Sequence, residues 1–374
     1  MLAMVHHFRA GVRRLAAESW RMPTRHSKLD FALPRLVASL TFLFLCAAST
    51  FAAEEWAKLP SIPDREGLAG SFAGVSNGAL IFAGGANFPE KKPWEGGQKI
   101  WHDEVYVLEK PNGSWITAGR LPRKLAYGVS VTFRDSILCI GGSDYERHYA
   151  EAFRLTWREG RLTTTPLPPL PKPLANGCGA LVGDHLYVGG GQTSPTTTSA
   201  LGRFWSLDLS AAKPQWQEIA PMPGKGRILA TAAAWGEKFW VLGGAELVAG
   251  QDGKVERIYL RDAWSFDTRK KEWKSIADLP VAAVAAPSPA PADASGLYLL
   301  GGDDGSQLAA APTEHRGFPK PIFRYDPQTD RWSKRGEMPA PRVTVPCVRW
   351  NDAWVISSGE QRPGVRSPEV WSWK

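Results

Sequence analysis
Cysteine is scarce in this chain, with 4 in 374 residues. That is too few for a disulfide framework, so apolar burial must hold the fold. Long apolar runs are nearly absent as well. The one that stands out, Leu36 to Ala52 (LVASLTFLFLCAASTFA), is shorter than the ~20 residues a membrane-spanning helix requires. Histidine is sparse and scattered. Beyond residue 52 only His102, His148, His185 and His315 occur, with no close-spaced pair and no H-E-x-x-H run, so no metal site is expected. A P-loop is missing, and so is any stripe of basic residues interleaved with aromatics.

A charge of one sign is also less abundant than it first looks. The formal net charge is +8, but residues 1–52 carry seven Lys/Arg and two acids. Without them 38 basic and 35 acidic residues remain, a balance of +3, which argues against nucleic acid as partner. Basic residues, then an apolar stretch, then small residues make the pattern of a secretory signal. The expectation is a leader and signal peptide over 1–52, cleaved after Ala52 with Thr50 at the −3 position. The protein is then exported, periplasmic or secreted, with no membrane span after cleavage. Met22 would give a more ordinary signal than Met1. Leu45 before Cys46 does not suit a lipidated cysteine.

Glycine (37), proline (30) and tryptophan (17) are plentiful, and they are placed periodically. An apolar run ending in a glycine pair recurs as ALIFAGG (Gly84, Gly85), SILCIGG (Gly141, Gly142), HLYVGGG (Gly189, Gly190), KFWVLGG (Gly243, Gly244) and GLYLLGG (Gly301, Gly302). A sixth copy, AWVISSG, keeps Ser358 and Gly359. Tryptophan followed seven residues later by proline marks five units: Trp56/Pro63, Trp115/Pro122, Trp216/Pro223, Trp273/Pro280 and Trp332/Pro339. In the remaining unit Thr164 stands where Trp is expected, before Pro171. Each apolar run reads as a buried strand with a tight glycine exit, and each Trp as an outer strand packed between neighbouring sheets.

Six such units give an all-β, six-bladed β-propeller occupying residues 53–374 as one domain. Its blade pattern resembles that of kelch-type propellers. The last unit has a third strand (EVWSW) but no fourth, whereas the chain after the leader begins with an orphan strand around Trp56. Pairing the N-terminal strand with the C-terminal blade closes the ring and removes the sheet edges. PTTTSA (195–200) and PSPAPADAS (287–295) read as loops.

In such a ring, polar residues flanking the innermost strands converge on one mouth of the axial channel. Those before the strands are Tyr127, Asn176, Arg227 and Arg342. Those after the glycines are Asn87, Asp144, Glu246, Asp303 and Glu360. The richest cluster is Gly359-Glu360-Gln361-Arg362-Pro363-Gly364-Val365-Arg366, in which the Pro-Gly turn can fold Arg366 back beside Glu360. A carboxylate is then set against a guanidinium, either as an acid/base pair gripping an anion or as a plain surface ion pair. Cys139, Cys178 and Cys347 lie on expected buried strands and read as small core residues.

That cluster is similar to the catalytic segment of bacterial N-acetylneuraminate epimerases, the sialic acid mutarotases, which reads roughly N-G-E-x-x-P-G-x-R. GLAGSFAGVSNGALIFAGGANF (67–88) and LAYGVS (125–130) resemble two consecutive blades of the same family. Here the first of these blades comes first and the Glu/Arg segment last, as in a cyclically permuted subgroup. Ser358 departs from the family's Asn, and Leu125 from its frequent Arg. The resemblance implies an isomerase that interconverts the anomers of N-acetylneuraminate, with no cofactor. Glu360 and Arg366 are implied as catalytic, and Arg227, Arg342, Asn87 and Tyr127 as substrate-binding. It leaves room for a homodimer. The alternative is an exported propeller that binds a glycan or protein at the same mouth without catalysis.

Overall fold
A computed structural model describes residues 55–250 and 253–374; the expected leader and its cleavage site lie outside the described residues. Six four-stranded antiparallel sheets follow one another along the chain. Blade I runs Phe72–Ser76, Ala79–Asn87, Ile100–Leu108 and Ile116–Arg120; blade II runs Val129–Phe133, Ser136–Ile140, Ala152–Arg158 and Arg161–Leu167. Blade III is Ala175–Val182, His185–Gln192, Phe204–Asp208 and Trp216–Glu218. Blade IV is Thr231–Trp235, Lys238–Leu242, Ala263–Asp267 and Glu272–Ile276, and blade V is Ala292–Asp293, Gly296–Leu300, Pro321–Asp326 and Arg331–Glu337. Blade VI is Cys347–Trp350, Ala353–Ser357 and Val370–Trp373, completed by Trp56–Leu59 from the start of the propeller.

That closure is the expected one. Trp56 pairs with Trp373 and Leu59 with Val370, and the two indoles stack with centroids 5.8 Å apart. The six-bladed propeller was legible from the repeat alone, including where its ends join.

Alternation within each strand sends successive side chains to opposite neighbouring blades. In blade I, Leu80 and Phe82 pack with Val348 and Val355 of blade VI, while Ile81 packs with Ile137 and Cys139 of blade II. The same division recurs at every interface, so the core is a ring of six apolar clusters rather than one centre. The outer tryptophans tie adjacent blades together. The indole N–H groups of Trp115, Trp216, Trp273 and Trp332 donate to carbonyl oxygens of Pro60, Pro168, Ala220 and Ala277 at 2.7–2.9 Å. Cys139, Cys178 and Cys347 are free and buried in these clusters, and burial raises the pKa of each thiol, that of Cys178 to about 12.

Around the axis the blades meet in a closed hoop of backbone hydrogen bonds. Gly70 N–H donates to Thr344, Thr344 to Ala285, Ala285 to Leu229, Leu229 to Asn176, Asn176 to Tyr127 and Tyr127 to Gly70, all at 2.7–2.9 Å. Every member has a left-handed backbone, with φ between 55° and 69°. Only one of the six is glycine, although this conformation costs an ordinary residue ~1–2 kcal/mol.

Two details differ from the sequence reading. In blade III the left-handed pair is Gly190–Gly191, not Gly189–Gly190, because the strand runs one residue further before it turns. In blade V the innermost strand is only Ala292–Asp293, inside the segment read as a loop. Pro287, Pro289 and Pro291 lack N–H groups, so the preceding stretch cannot join the ladder.

Gly70→Ala is expected to lower stability by more than ~2 kcal/mol, since the left-handed backbone is strained by a side chain. Its new Cβ would also lie 2.5 Å from the Tyr127 ring and 2.8 Å from the Tyr127 nitrogen. Gly78→Ala (φ 80°), where nothing lies within 4 Å, should cost only the strain. Denaturation midpoints of the two variants test the difference.

Candidate functional site
One residue outward from the hoop, each chain segment bridges to the residue that follows a glycine pair. Val343 and Glu360 exchange both backbone hydrogen bonds at 3.0 Å, next to hoop residue Thr344. The hoop thus holds Glu360 at the rim of the channel. An inserted hairpin, Glu360–Arg362 with Val365–Arg366, leaves blade VI here and turns at Pro363–Gly364. Glu360 and Arg366 are direct cross-strand partners.

The two side chains meet at 3.2 Å between Arg366 Nη1 and Glu360 Oε1, with exposures of 4% and 16%. Gly364 N–H donates to the same carboxylate oxygen at 2.7 Å. The guanidinium also lies over the Phe88 ring, 4.7 Å from its centroid. Although Nη1 is in charge contact with Glu360, its N–H is not aimed there: Nη1 and Nε are both buried without a hydrogen-bond partner. Leaving a buried donor unpaired costs ~1–3 kcal/mol, so the site is built with donor capacity to spare.

The pair faces a cavity of about 500 Å³ at the mouth, which Phe88, Lys99, Trp101, Tyr127, His148, Asn176 and Asp303 also line. Burial, the largest effect, lowers the His148 pKa, against the opposing pull of the Gln192 carbonyl and Asp144. That carbonyl lies 3.1 Å from Nδ1 and can only accept, which puts the imidazole proton on Nδ1. Burial raises the Asp144 carboxyl, but hydrogen bonds from the Tyr149 hydroxyl and the Arg147 and Glu146 amides outweigh it and leave its pKa low. Across the mouth, the Tyr259 hydroxyl donates to Asp303 at 2.6 Å.

The other sequence candidates separate clearly. Tyr127, Asn176, Asp144 and Asp303 line the cavity with Glu360 and Arg366. Asn87, expected to bind substrate, is fully buried and does not line the cavity; it donates to Asp64 at 3.1 Å and lies 2.9 Å from His102 Nε2. Glu246 lies 3.3 Å from Lys225 and does not line the cavity.

The structure does not bring Arg227 and Arg342 to the cavity. They stand two residues before hoop members, with guanidiniums 0% and 1% exposed. Arg227 grips Asp262 with two hydrogen bonds of 3.0 and 2.7 Å, and Arg342 holds Glu369 at 2.8 Å. Both acids immediately precede the third strand of a blade, so these pairs lock blades IV and VI rather than meet a ligand. Leu125 fills the equivalent place in blade II and is buried.

Sequence reading missed Lys99 and Trp101, which reach the mouth from a third strand rather than from a hoop or glycine-pair position. It also passed over Gly74-Val75-Ser76-Asn77-Gly78, which spells G-x-S-x-G. Ser76 is fully buried in a hairpin with its hydroxyl donated to the Asp135 carbonyl, so it is not an exposed nucleophile. No group of three His, Cys, Asp or Glu is placed to hold a metal among the described residues.

Comparison with known proteins bears on this geometry. The family profile described as N-acetylneuraminate epimerase matches residues 47–164 and 167–310, more than half of the chain. The chain belongs to the N-acetylneuraminate epimerase family. An N-acetylneuraminate epimerase of Haemophilus influenzae (strain 86-028NP) is 41% identical over 102 residues, 24% of this chain and 27% of that protein. Its counterpart in Salmonella enteritidis PT4 is 40% identical over 113 residues, 28% of this chain and 29% of that protein. The chain therefore aligns with little more than a quarter of the length of these curated relatives. A solved structure described as "Structure of YjhT" superposes with a TM-score of 0.60 at 15% identity, covering 82% of this chain and 94% of that one. That likeness bears on the fold alone. The hairpin with Glu360 and Arg366 lies beyond the family-matched residues.

The Arg227–Asp262 and Arg342–Glu369 pairs carry a stability consequence. Burial, the largest effect on Asp262, raises its pKa, but Arg227 together with hydrogen bonds from the Trp264 indole and the backbone outweighs it, and the net shift is downward. The Glu369 pKa is lowered first by Lys58 and then by Arg342. Carboxylates depressed in the fold stabilise it fully above the unfolded value of about 4, and that contribution is lost as pH falls through the folded value. Thermal unfolding from pH 7 to pH 3 should show a steep acid limb that Asp262→Asn flattens, with lower stability at pH 7.

Proposed function
We propose that this protein is an isomerase that interconverts the α and β anomers of N-acetylneuraminate at the mouth formed by Glu360 and Arg366. The observation that carries the reading is the buried pair itself. A carboxylate fixed by a backbone amide stands beside a guanidinium with two unpaired donors, facing a cavity large enough for one sugar. Membership of the epimerase family supplies the substrate class. The place of the hairpin, last in the chain and outside the matched residues, fits a cyclically permuted blade order, which a ring of neighbour-only contacts tolerates.

Glu360 accepts the proton of the anomeric hydroxyl as the bond from the anomeric carbon to the ring oxygen breaks. The anomeric hydroxyl oxygen becomes the ketone oxygen, and the ring oxygen takes up a proton from solvent water and becomes a hydroxyl. Rotation about the bond beside the ketone presents its other face. The hydroxyl re-adds and gives its proton back to water, and Glu360 returns its proton to the new anomeric oxygen, so nothing is consumed. Arg366 binds the substrate carboxylate, which is attached to the reacting carbon, and offsets negative charge developing there. Tyr127 forms part of the wall, whereas Asn87, buried between Asp64 and His102, does not reach the sugar. The apolar run at 36–52 supports export, so this chemistry belongs to a periplasmic or secreted protein.

The test is NMR of freshly released α-N-acetylneuraminate approaching its anomeric equilibrium. Wild type should accelerate the approach, and Glu360→Gln should lose about a hundredfold or more of the acceleration. An unchanged rate in Glu360→Gln would remove it as the base. No acceleration by wild type, with saturable binding retained, would favour a non-catalytic glycan-binding propeller.

A further inference from the structure
Besides Arg366, Lys99 and Arg257 are cations that line the cavity; Arg257 is exposed on the strand Val255–Tyr259, whereas Lys99 sits among aromatic rings, and nothing in the mechanism above uses it. Its position follows from blade I, whose second and third strands stay paired beyond the glycine pair as far as Asn87 opposite Ile100. Phe88 and Lys99 flank this last pair, and both line the cavity. The Lys99 ammonium lies 5.3 Å from the Tyr127 ring centroid, 5.6 Å from that of Trp101 and 5.8 Å from that of Phe88. Three rings hold the charge in place, but rings do not neutralise it. No carboxylate pairs with Lys99 among the described residues, although Glu360, Asp144 and Asp303 line the same cavity.

A second observation is independent of Lys99. Trp101 Nε1, like Arg366 Nε and Nη1, is buried without a hydrogen-bond partner. All three orphan atoms are N–H donors on residues lining one cavity, so what they lack is an acceptor. Two cations beside them make that acceptor an anion. Arg366 and Lys99 approach the same Phe88 ring, at 4.7 and 5.8 Å from its centroid.

We propose that Lys99, with the Trp101 indole N–H, is the second anchor of the substrate carboxylate beside Arg366, and that it sets the preference for an acidic over a neutral sugar. This rests on the reading of the Glu360–Arg366 mouth as the site of anomer interconversion. Arg366 can reach the carboxylate with its two free donors, and Lys99 and the indole N–H add a second positive charge and a further donor for the remaining lone pairs. With Lys99 present, the ester or amide of the same sugar leaves an ammonium and a buried indole N–H unsatisfied, which is how a polar site rejects a neutral analogue.

The experiment measures binding of N-acetylneuraminate and its methyl ester to the whole protein by calorimetry, alongside anomer interconversion of the acid by NMR. Wild type should bind the acid at least about tenfold more tightly than the ester, the scale of one charged hydrogen bond. Lys99→Met should weaken the acid about ten- to hundredfold and the ester only a few-fold, so that the preference shrinks. In turnover, KM should rise by more than kcat falls, and Lys99→Arg should recover part of the preference. If wild type interconverts the acid but Lys99→Met keeps the full acid-to-ester ratio, the Lys99 assignment is wrong and the catalytic reading stands. If wild type neither binds nor interconverts the acid, the reading of the mouth falls and the second anchor falls with it.

Discussion
Six backbone hydrogen bonds around the axis fix everything else in this molecule. Each links one blade to the next through Gly70, Tyr127, Asn176, Leu229, Ala285 and Thr344, and each asks its residue for a left-handed backbone. Five of the six are not glycine, and a β-branched threonine is among them. Strain at each is small, and the surrounding blades over-determine it. In return the innermost segments arrive at the mouth in a fixed register. The bridge between Val343 and Glu360 is the next rung out from Thr344, so the position of the acid is set by the hoop as well as by its own hairpin.

The mouth is electrostatically unfinished, with three buried N–H donors that lack a partner on residues lining one cavity. At the buried arginines that lock the blades the match is closer: Arg227 is held by Asp262 and two carbonyls, and Arg342 by Glu369, Ser367 and the Pro341 carbonyl with its Nε left over. At Arg366 the match is partial, with one charge contact and two buried N–H groups left over. Trp101 adds a third. On the proposed reading an anionic ligand completes this set, and the stability forgone there is recovered as binding energy. The blade-locking pairs and the Glu360–Arg366 pair use the same chemistry but differ in degree: no guanidinium N–H is left buried without an acceptor at Arg227, one at Arg342 and two at Arg366.

Most of the architecture was legible because periodic residues have periodic jobs. Glycine pairs mark left-handed exits, tryptophans clamp neighbouring blades through their indole N–H groups, and the orphan strand at Trp56 needed the partner it found at Trp373. The Glu360–Arg366 juxtaposition was legible from the Pro363–Gly364 turn between them. What stayed hidden has physical reasons. The hoop residues carry ordinary side chains, so their backbone conformation leaves no compositional trace. Arg227 and Arg342 read as mouth residues because a shift of two positions along an innermost segment exchanges channel for blade interface. The short innermost strand of blade V was concealed by prolines that bend the chain correctly but cannot join its ladder. Lys99 and Trp101 escaped notice because they reach the mouth from a third strand, where the repeat gives no reason to look.

The central claim is that the protein catalyses exchange between two forms of one sugar without shifting their balance. Magnetisation-exchange NMR on N-acetylneuraminate already at anomeric equilibrium addresses this directly, because it reads the rate of passage between the forms while their ratio stays constant. The expected result is an α–β exchange rate that rises in proportion to protein concentration, with an unchanged anomer ratio. An exchange rate that stays at its buffer value while the protein demonstrably binds the sugar would contradict the account.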